Sequence, residues 1–150
     1  MPASAKNDNM LEQLCQKLNS RQAGVDKDDL LWDAAVLMPL VEVNGQLCVL
    51  FEQRAQNMRR QPGEICFPGG HFESKDLSFA TTALRETCEE IGICQDRIKI
   101  IGELDALVTH SGPIIHPFVG ILDNMDNIIK FAGGNGTKAD PYIIVSEYQL

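Results

Sequence analysis

Phe67-Pro68-Gly69-Gly70, followed fifteen residues on by Arg85-Glu86-Thr87-Cys88-Glu89-Glu90-Ile91-Gly92, is the stretch from which the rest of the chain is best read. Leu77 to Ile91 carries a helical period, with Ala80, Ala83, Leu84, Thr87 and Ile91 as its core stripe. Gly92 stands where a left-handed helix cap is expected. At about 100° per residue, Glu86 and Glu90 lie about 40° apart around the helix, and Glu86 and Glu89 about 60°. Carboxylates so close repel at neutral pH and weaken a helix by a few tenths of a kcal/mol (about 0.2–0.5) per pair. A hard divalent cation such as Mg²⁺ converts that repulsion into coordination. A solvated acidic face is the other reading, and for an isolated Glu-Glu pair it is the usual one.

Upstream, Glu52 to Glu64 is polar and basic and reads as a loop. Arg54, Arg59 and Arg60 put three of thirteen cationic residues within seven positions. Arginine forks suit phosphate oxygens, while a solubilising loop is the plainer alternative. Ala34 to Val43 is nearly continuously apolar and is followed by Asn44-Gly45 and then Leu47 to Phe51. Asn-Gly between two such runs signals a hairpin. Before it, Asp8 or Asn9 can cap a helix over Met10 to Leu18, with Leu11, Cys15 and Leu18 on one face, and Asn19 to Asp29 reads as a polar connector. After Gly92, Ile98 to Val108 and Ile114 to Leu122 read as strands around His110-Ser111-Gly112-Pro113, and Tyr142 to Val145 as a last strand. Strands flanking a central helix predict a mixed sheet packed between helices, an α/β or α+β architecture.

The 150 residues are expected to form one domain, 1–150, without repeats or linkers. Hydrophobic content of 44% and charged content of 23% are ordinary for a globular protein. A net charge of −8 argues against nucleic-acid and anionic-membrane partners. The apolar runs are too short to span a bilayer, and the N-terminus lacks the apolar core of a signal peptide. Five cysteines, at 15, 48, 66, 88 and 94, are odd in number and contain no Cys-x-x-Cys pair, so free thiols in a reducing cytoplasm are expected. Cys88 is expected to pack within its helix rather than to act as a nucleophile.

Arg85 to Ile93 resembles the right half of the Nudix box, Arg-Glu-U-x-Glu-Glu-x-Gly-U with U a bulky aliphatic residue, and departs only at Thr87. The left half, Gly-x5-Glu-x7, fits Gly70 with one extra residue, and Asp76 then takes the place of its Glu. That longer spacing resembles the coenzyme A pyrophosphatase branch of the family. The upstream motif of that branch, Leu-Leu-Thr-x-Arg-Ser-x3-Arg-x3-Gly-x3-Phe-Pro-Gly-Gly, is also in register. Its fixed positions fall on Leu50, Arg54, Arg59, Gly63 and Phe67 to Gly70, with Phe51, Glu52 and Ala55 as substitutions.

The resemblance implies a Nudix-like α/β/α sandwich with a mixed sheet. It implies a metal set of Glu86, Glu89 and Glu90 holding Mg²⁺ or Mn²⁺, with Glu86, Glu89 and Arg85 as the catalytic group and Arg85 orienting Glu89. It implies phosphate contacts from Arg54, Arg59, Gly69 and Gly70; the carbonyl of Gly69 is a further metal ligand in many relatives. The implied reaction is hydrolysis of a pyrophosphate linkage in a small nucleotide, namely coenzyme A or an acyl derivative. ADP-ribose, a dinucleotide such as NADH, and a catalytically weak nucleotide-binding module are the rival expectations. His71 and Phe67 are read as structural, and His110 as a lesser candidate for substrate contact, with His116 beside the same turn.

After Leu122 the chain departs from the family pattern. Ala132-Gly133-Gly134-Asn135-Gly136 favours a loop, and too few residues follow for a normal C-terminal helix. A general base from this region would be Asp123, Asp126 or Glu147, with no ground for choosing among them. Low activity is expected from this departure, together with an uncovered sheet face buried by a second subunit in a homodimer.

Overall fold

The computed structural model describes residues 3–21, 32–43, 45–57, 59, 61–110, 112–123 and 144–145. In chain order the elements are α1 (Ala3–Asn19), β1 (Asp33–Val43), β2 (Gln46–Val49), β3 (Glu52–Gln53), β4 (Ile65–Cys66), β5 (Gly69–His71), α2 (Phe79–Ile91), a short 3₁₀ turn (Gln95–Arg97), β6 (Ile98–Glu103), β7 (Leu107–Val108), β8 (Ile114–Leu122) and β9 (Ile144–Val145).

The long apolar run is β1, and the main sheet is built around it. β1 pairs in parallel with β8 from Asp33↔Ile114 to Leu40↔Ile121. On its other edge it pairs antiparallel with β5 and then with β2, whose hairpin closes at Val43↔Gln46. Pro39 pairs with Gly120 of β8, and on the other edge its carbonyl accepts the Leu50 N–H at 2.9 Å, where the β2 ladder ends. β6 adds antiparallel to β8 with a bulge between Ile100 and Gly102, and β7 pairs with the start of β8. A second, small sheet has the order β4-β3-β9. The expected mixed sheet is therefore present.

Alternation along the strands divides the core in two. Ala35, Leu37, Val41, Phe118 and Leu122 meet Ala83 of α2 on one face. Leu40, Ile101 and Val119 meet Leu18 of α1 on the other, with Leu11, Leu14 and Cys15 packed against them. Burial on both faces is why β1 reads as a continuous apolar run rather than an alternating one. A Cβ on Gly102 would collide with the side chain of Leu18. Glycine there lets α1 lie directly on β6.

Four expectations change. The first helix begins at Ala3 rather than Met10 and runs straight through the residues expected to cap it, Asp8 and Asn9. Asn7 donates to Glu42 Oε2 (2.9 Å) and to the Gly45 carbonyl (3.1 Å), while Asn9 accepts from Gln13 one turn on. The stretch from Glu52 is not all loop, since its first two residues form β3. The sheet face opposite α2 is packed by α1 at Leu40, Ile101 and Val119 rather than left open there, and a second subunit stays a proposal. The terminal glycine run and the expected lack of a normal C-terminal helix fall on residues outside those described.

The fourth change concerns the cysteines. Ser78 caps α2, accepting the Thr81 N–H at 3.2 Å, and Leu77 lies outside the helix. At the other end Gly92 takes φ 72° and donates its N–H to the Cys88 carbonyl at 3.0 Å, as its position predicts. The reversal brings Cys94 to a Cα separation of 4.4 Å from Cys88, and the two form a disulfide. Cys15, Cys48 and Cys66 are free. Thiol titration of denatured, unreduced protein is expected to count three groups, rising to five after reduction, with a loss of about 2 kcal/mol of stability. A count of five before reduction contradicts the bond.

Candidate active site

Arg85, its side chain 15% exposed, is the hub of the acidic stretch of α2. Its Nε donates to Asp76 Oδ1 and its Nη2 to Asp76 Oδ2, both at 3.0 Å, giving a bidentate pair. Nη1 donates to Glu86 Oε1 at 2.7 Å and reaches Glu89 Oε2 at 3.3 Å, and Nη2 also donates to the His71 carbonyl at 3.0 Å. Asp76 has a side chain only 2% exposed and accepts further from the Thr82 hydroxyl (2.9 Å) and the Glu73 N–H (3.0 Å). The Arg85 guanidinium therefore holds the Asp76 carboxyl well below the usual carboxylate range. The reach to Glu89 expected from helical spacing exists, but Arg85 is anchored by Asp76.

The carboxylates of α2 meet β5. Glu90 Oε2 accepts the Gly69 N–H at 2.8 Å. Burial, and then the charge of Glu52, push the Glu90 carboxyl up to about 8. A Cβ on Gly70 would lie 2.5 Å from Glu86 Cδ, so the backbone of Gly70 rests directly on that carboxylate. Glu89 is 56% exposed and points outward. The two glycines therefore differ in what they permit. A Cβ on Gly69 would strike the Ala35 carbonyl and the Val36 backbone, where nothing can yield. Gly69→Ala is expected to lose the folded protein by circular dichroism. Gly70→Ala is expected to keep the fold by the same measurement while displacing the Glu86 carboxylate.

Facing these carboxylates from β3 is a residue the sequence reading passed over. Glu52 is fully buried; its Oε1 accepts from the Cys66 thiol at 3.3 Å, and its Oε2 has no hydrogen-bond partner among the described residues. Burial raises the Glu52 carboxyl, and burial followed by the adjacent Glu52 pushes the Cys66 thiol up to about 12. Arg54, two residues on, has a buried Nε that also lacks a partner among the described residues. The available signal was a lone acid directly after an apolar run and two positions before a motif arginine.

The remaining candidates are dispersed. Arg59 is exposed and pairs with none of the described residues, and Arg60 lies outside them. His71 is exposed and stacks on Trp32 at 3.7 Å, and Phe67 stacks on Phe51 at 4.6 Å. His116 is buried, 2.8 Å from Asp33 Oδ1 and stacked on Phe79, and His110 is exposed. Asp123 is exposed at the end of β8; Asp126 and Glu147 lie outside the described residues. A cleft of about 320 Å³ opens on the outer side of α2 between Arg85, Glu89 and the Cys88–Cys94 bridge.

The family model described as NUDIX domain matches residues 31–127. The chain belongs to the Nudix family. Among curated Nudix proteins, peroxisomal coenzyme A diphosphatase NUDT7 of Mus musculus is 31% identical over 125 residues, covering 83% of this chain and 52% of that protein. The uncharacterized Nudix hydrolase NudL of Enterobacter sp. (strain 638) is 43% identical over 89 residues, covering 59% and 46%. Peroxisomal coenzyme A diphosphatase ndx-8 of Caenorhabditis elegans is 40% identical over 93 residues, covering 60% and 40%. The chain thus spans about half the length of the curated relatives it matches. A solved Nudix-fold neighbour, the C. elegans Ap4A hydrolase, aligns with a TM-score of 0.56 at 21% identity over 67% of this chain and 74% of that one. It supports the fold.

Nudix helices imply a divalent cation. Among the described residues no three His, Cys, Asp or Glu side chains stand in ready-made coordination geometry. The reason is visible in the hydrogen bonds, since Arg85 holds Glu86 and the Gly69 N–H holds Glu90. The donor set nevertheless fits the ion. Glu86 and Glu90 bring hard carboxylate oxygens to glycine backbone that puts no side chain between them, and a buried Glu52 oxygen nearby has no partner among the described residues.

Proposed function

We propose that this Nudix chain hydrolyses the pyrophosphate linkage of a small nucleotide, with coenzyme A or an acyl-coenzyme A as substrate and 3′,5′-ADP and (acyl-)4′-phosphopantetheine as products. The observation that carries this reading is the convergence of Glu86 and Glu90 on the Gly69-Gly70 turn, which sets acidic side chains against backbone that a phosphate can approach closely. The upstream motif and the names of the coenzyme A diphosphatases among its relatives support the substrate.

In this reading Glu86, Glu89 and Glu90 hold Mg²⁺ or Mn²⁺. The ion supplies charge neutralisation at the phosphoryl oxygens and a more acidic water. The protein does the rest. Arg85 holds Glu86 and Glu89 in position from its anchor on Asp76. Arg54 offers a desolvated N–H to a substrate phosphate, and Arg59 reaches a second from the loop. Gly69 and Gly70 keep the cradle free of side chains.

A second reading is favoured by Phe51, Glu52 and Ala55, which depart from the coenzyme A motif. It keeps the chemistry and changes the substrate to another nucleoside diphosphate derivative, such as ADP-ribose or NADH. Product analysis separates the two. Purified protein is incubated with coenzyme A, ADP-ribose or NADH and Mg²⁺ or Mn²⁺, beside Glu89→Gln. Release of 3′,5′-ADP from coenzyme A, lost in the variant, is expected. Cleavage of ADP-ribose or NADH alone moves the assignment to the second reading, and cleavage of none leaves a nucleotide-binding module.

A further inference from the structure

Glu52 has no structural reason to be a buried acid. Its side chain is wholly covered, yet one carboxylate oxygen finds no donor among the described residues and the other accepts only a thiol, a weak donor. Burying a carboxyl group without full pairing is costly, because it gives up hydration without a replacement. Glutamine or threonine would fill the same place at lower cost. Threonine is the residue at this position in the upstream motif that the chain otherwise follows. The nearest cation, Arg54, leaves its own Nε without a partner rather than closing a fork on Glu52. The neighbours that Glu52 does face are Glu90 and Glu86, across from α2. Two buried carboxyls, Glu52 and Glu90, meet beside the Arg85-bound Glu86, and one oxygen of Glu52 stays uncommitted among the described residues.

We propose that Glu52 is a fourth metal-ligating carboxylate, binding a divalent cation together with Glu86 and Glu90 from the opposite wall of the site. The inference rests on the metal centre proposed for α2 and adds to it a ligand from β3. It changes the character of that centre. The cation then links the small sheet to α2 instead of resting on one helix face, and its affinity gains a further anionic oxygen. The ligand class is a hard divalent ion with oxygen preference, Mg²⁺ or Mn²⁺.

The test is Mn²⁺ binding without substrate, read by the electron paramagnetic resonance signal of free Mn²⁺, on the wild-type chain and on Glu52→Gln and Glu52→Thr. Thermal unfolding is followed with and without Mn²⁺. The expected result is a tenfold or greater rise in the Mn²⁺ dissociation constant, or loss of one bound ion, in both variants. Their unfolding midpoints without metal equal or exceed that of the wild type, and the upward shift on adding Mn²⁺ shrinks. Glutamine preserves shape, and threonine guards against a variant that fails to fold. Unchanged stoichiometry and affinity in the folded variants, with a lower midpoint, overturn the assignment and make Glu52 structural while leaving the α2 centre standing. A wild-type chain that binds no Mn²⁺ overturns the α2 centre and this ligand together.

Discussion

Arg85→Ala is expected to lower the unfolding free energy by about 3 kcal/mol, because it strands the nearly covered Asp76 carboxylate. Against a typical total of about 5–15 kcal/mol, that is a large fraction of the stability. Asp76 would keep its hydrogen bonds from Thr82 and Glu73 but lose both guanidinium bonds. Arg85→Lys is expected to recover only part of the loss, since an ammonium cannot span both oxygens. The pH dependence follows with a definite sign. Asp76 has a folded-state pKa below its unfolded value. Its stabilisation is therefore present above the ordinary aspartate pKa of about 4 and is lost as the pH falls below that toward the folded value. Urea midpoints between pH 6 and pH 2.5 should fall more steeply in the wild type than in Arg85→Ala. Parallel profiles contradict the assignment of Asp76 as the anchor.

Glu86→Gln is expected to do the reverse, leaving stability within about 1 kcal/mol of the wild type and lowering kcat for pyrophosphate hydrolysis by about 10³-fold. Glutamine retains an oxygen to accept from Arg85 and still fits beneath Gly70, so the packing survives. What is lost is the anionic oxygen nearest the glycine turn. The measurement is steady-state kinetics at saturating Mg²⁺ beside an unfolding curve. An active Glu86→Gln enzyme moves the chemistry off this side chain. The two substitutions are adjacent in sequence, and they separate the framework of the site from its reactive edge.

Their contrast shows what was legible in the sequence. The helix period, Gly92 as a left-handed cap, and the hairpin closing at Val43 and Gln46 follow from local rules, and the structure has all three. Contacts between distant segments were less legible. Asp8 and Asn9 carry the composition of a cap, but Asn7 bonds to the hairpin and the helix continues through them to Ala3. β3 and β4 are two residues each, too short to show a period, so Glu52 read as solvated loop. At the site, the alignment of Asp76 with a box position pointed to a role, but helical spacing pointed only to Glu89 as the partner of Arg85. No local pattern places a residue nine positions upstream in a bidentate fork. The Cys88–Cys94 bridge was likewise hidden, because it depends on the reversal at Gly92.

The contact of α1 with β6 through Gly102 bears on where the protein can be cut. The family pattern begins at residue 31, yet the second hydrophobic layer is closed by Leu11, Leu14, Cys15 and Leu18, all upstream of that border. A fragment trimmed to residues 31–127 would carry the Gly69-Gly70 turn and the carboxylates of α2 and still expose Leu40, Ile101 and Val119 to water as a sticky apolar strip. The limits set by the family model and those set by burial differ here by a whole helix.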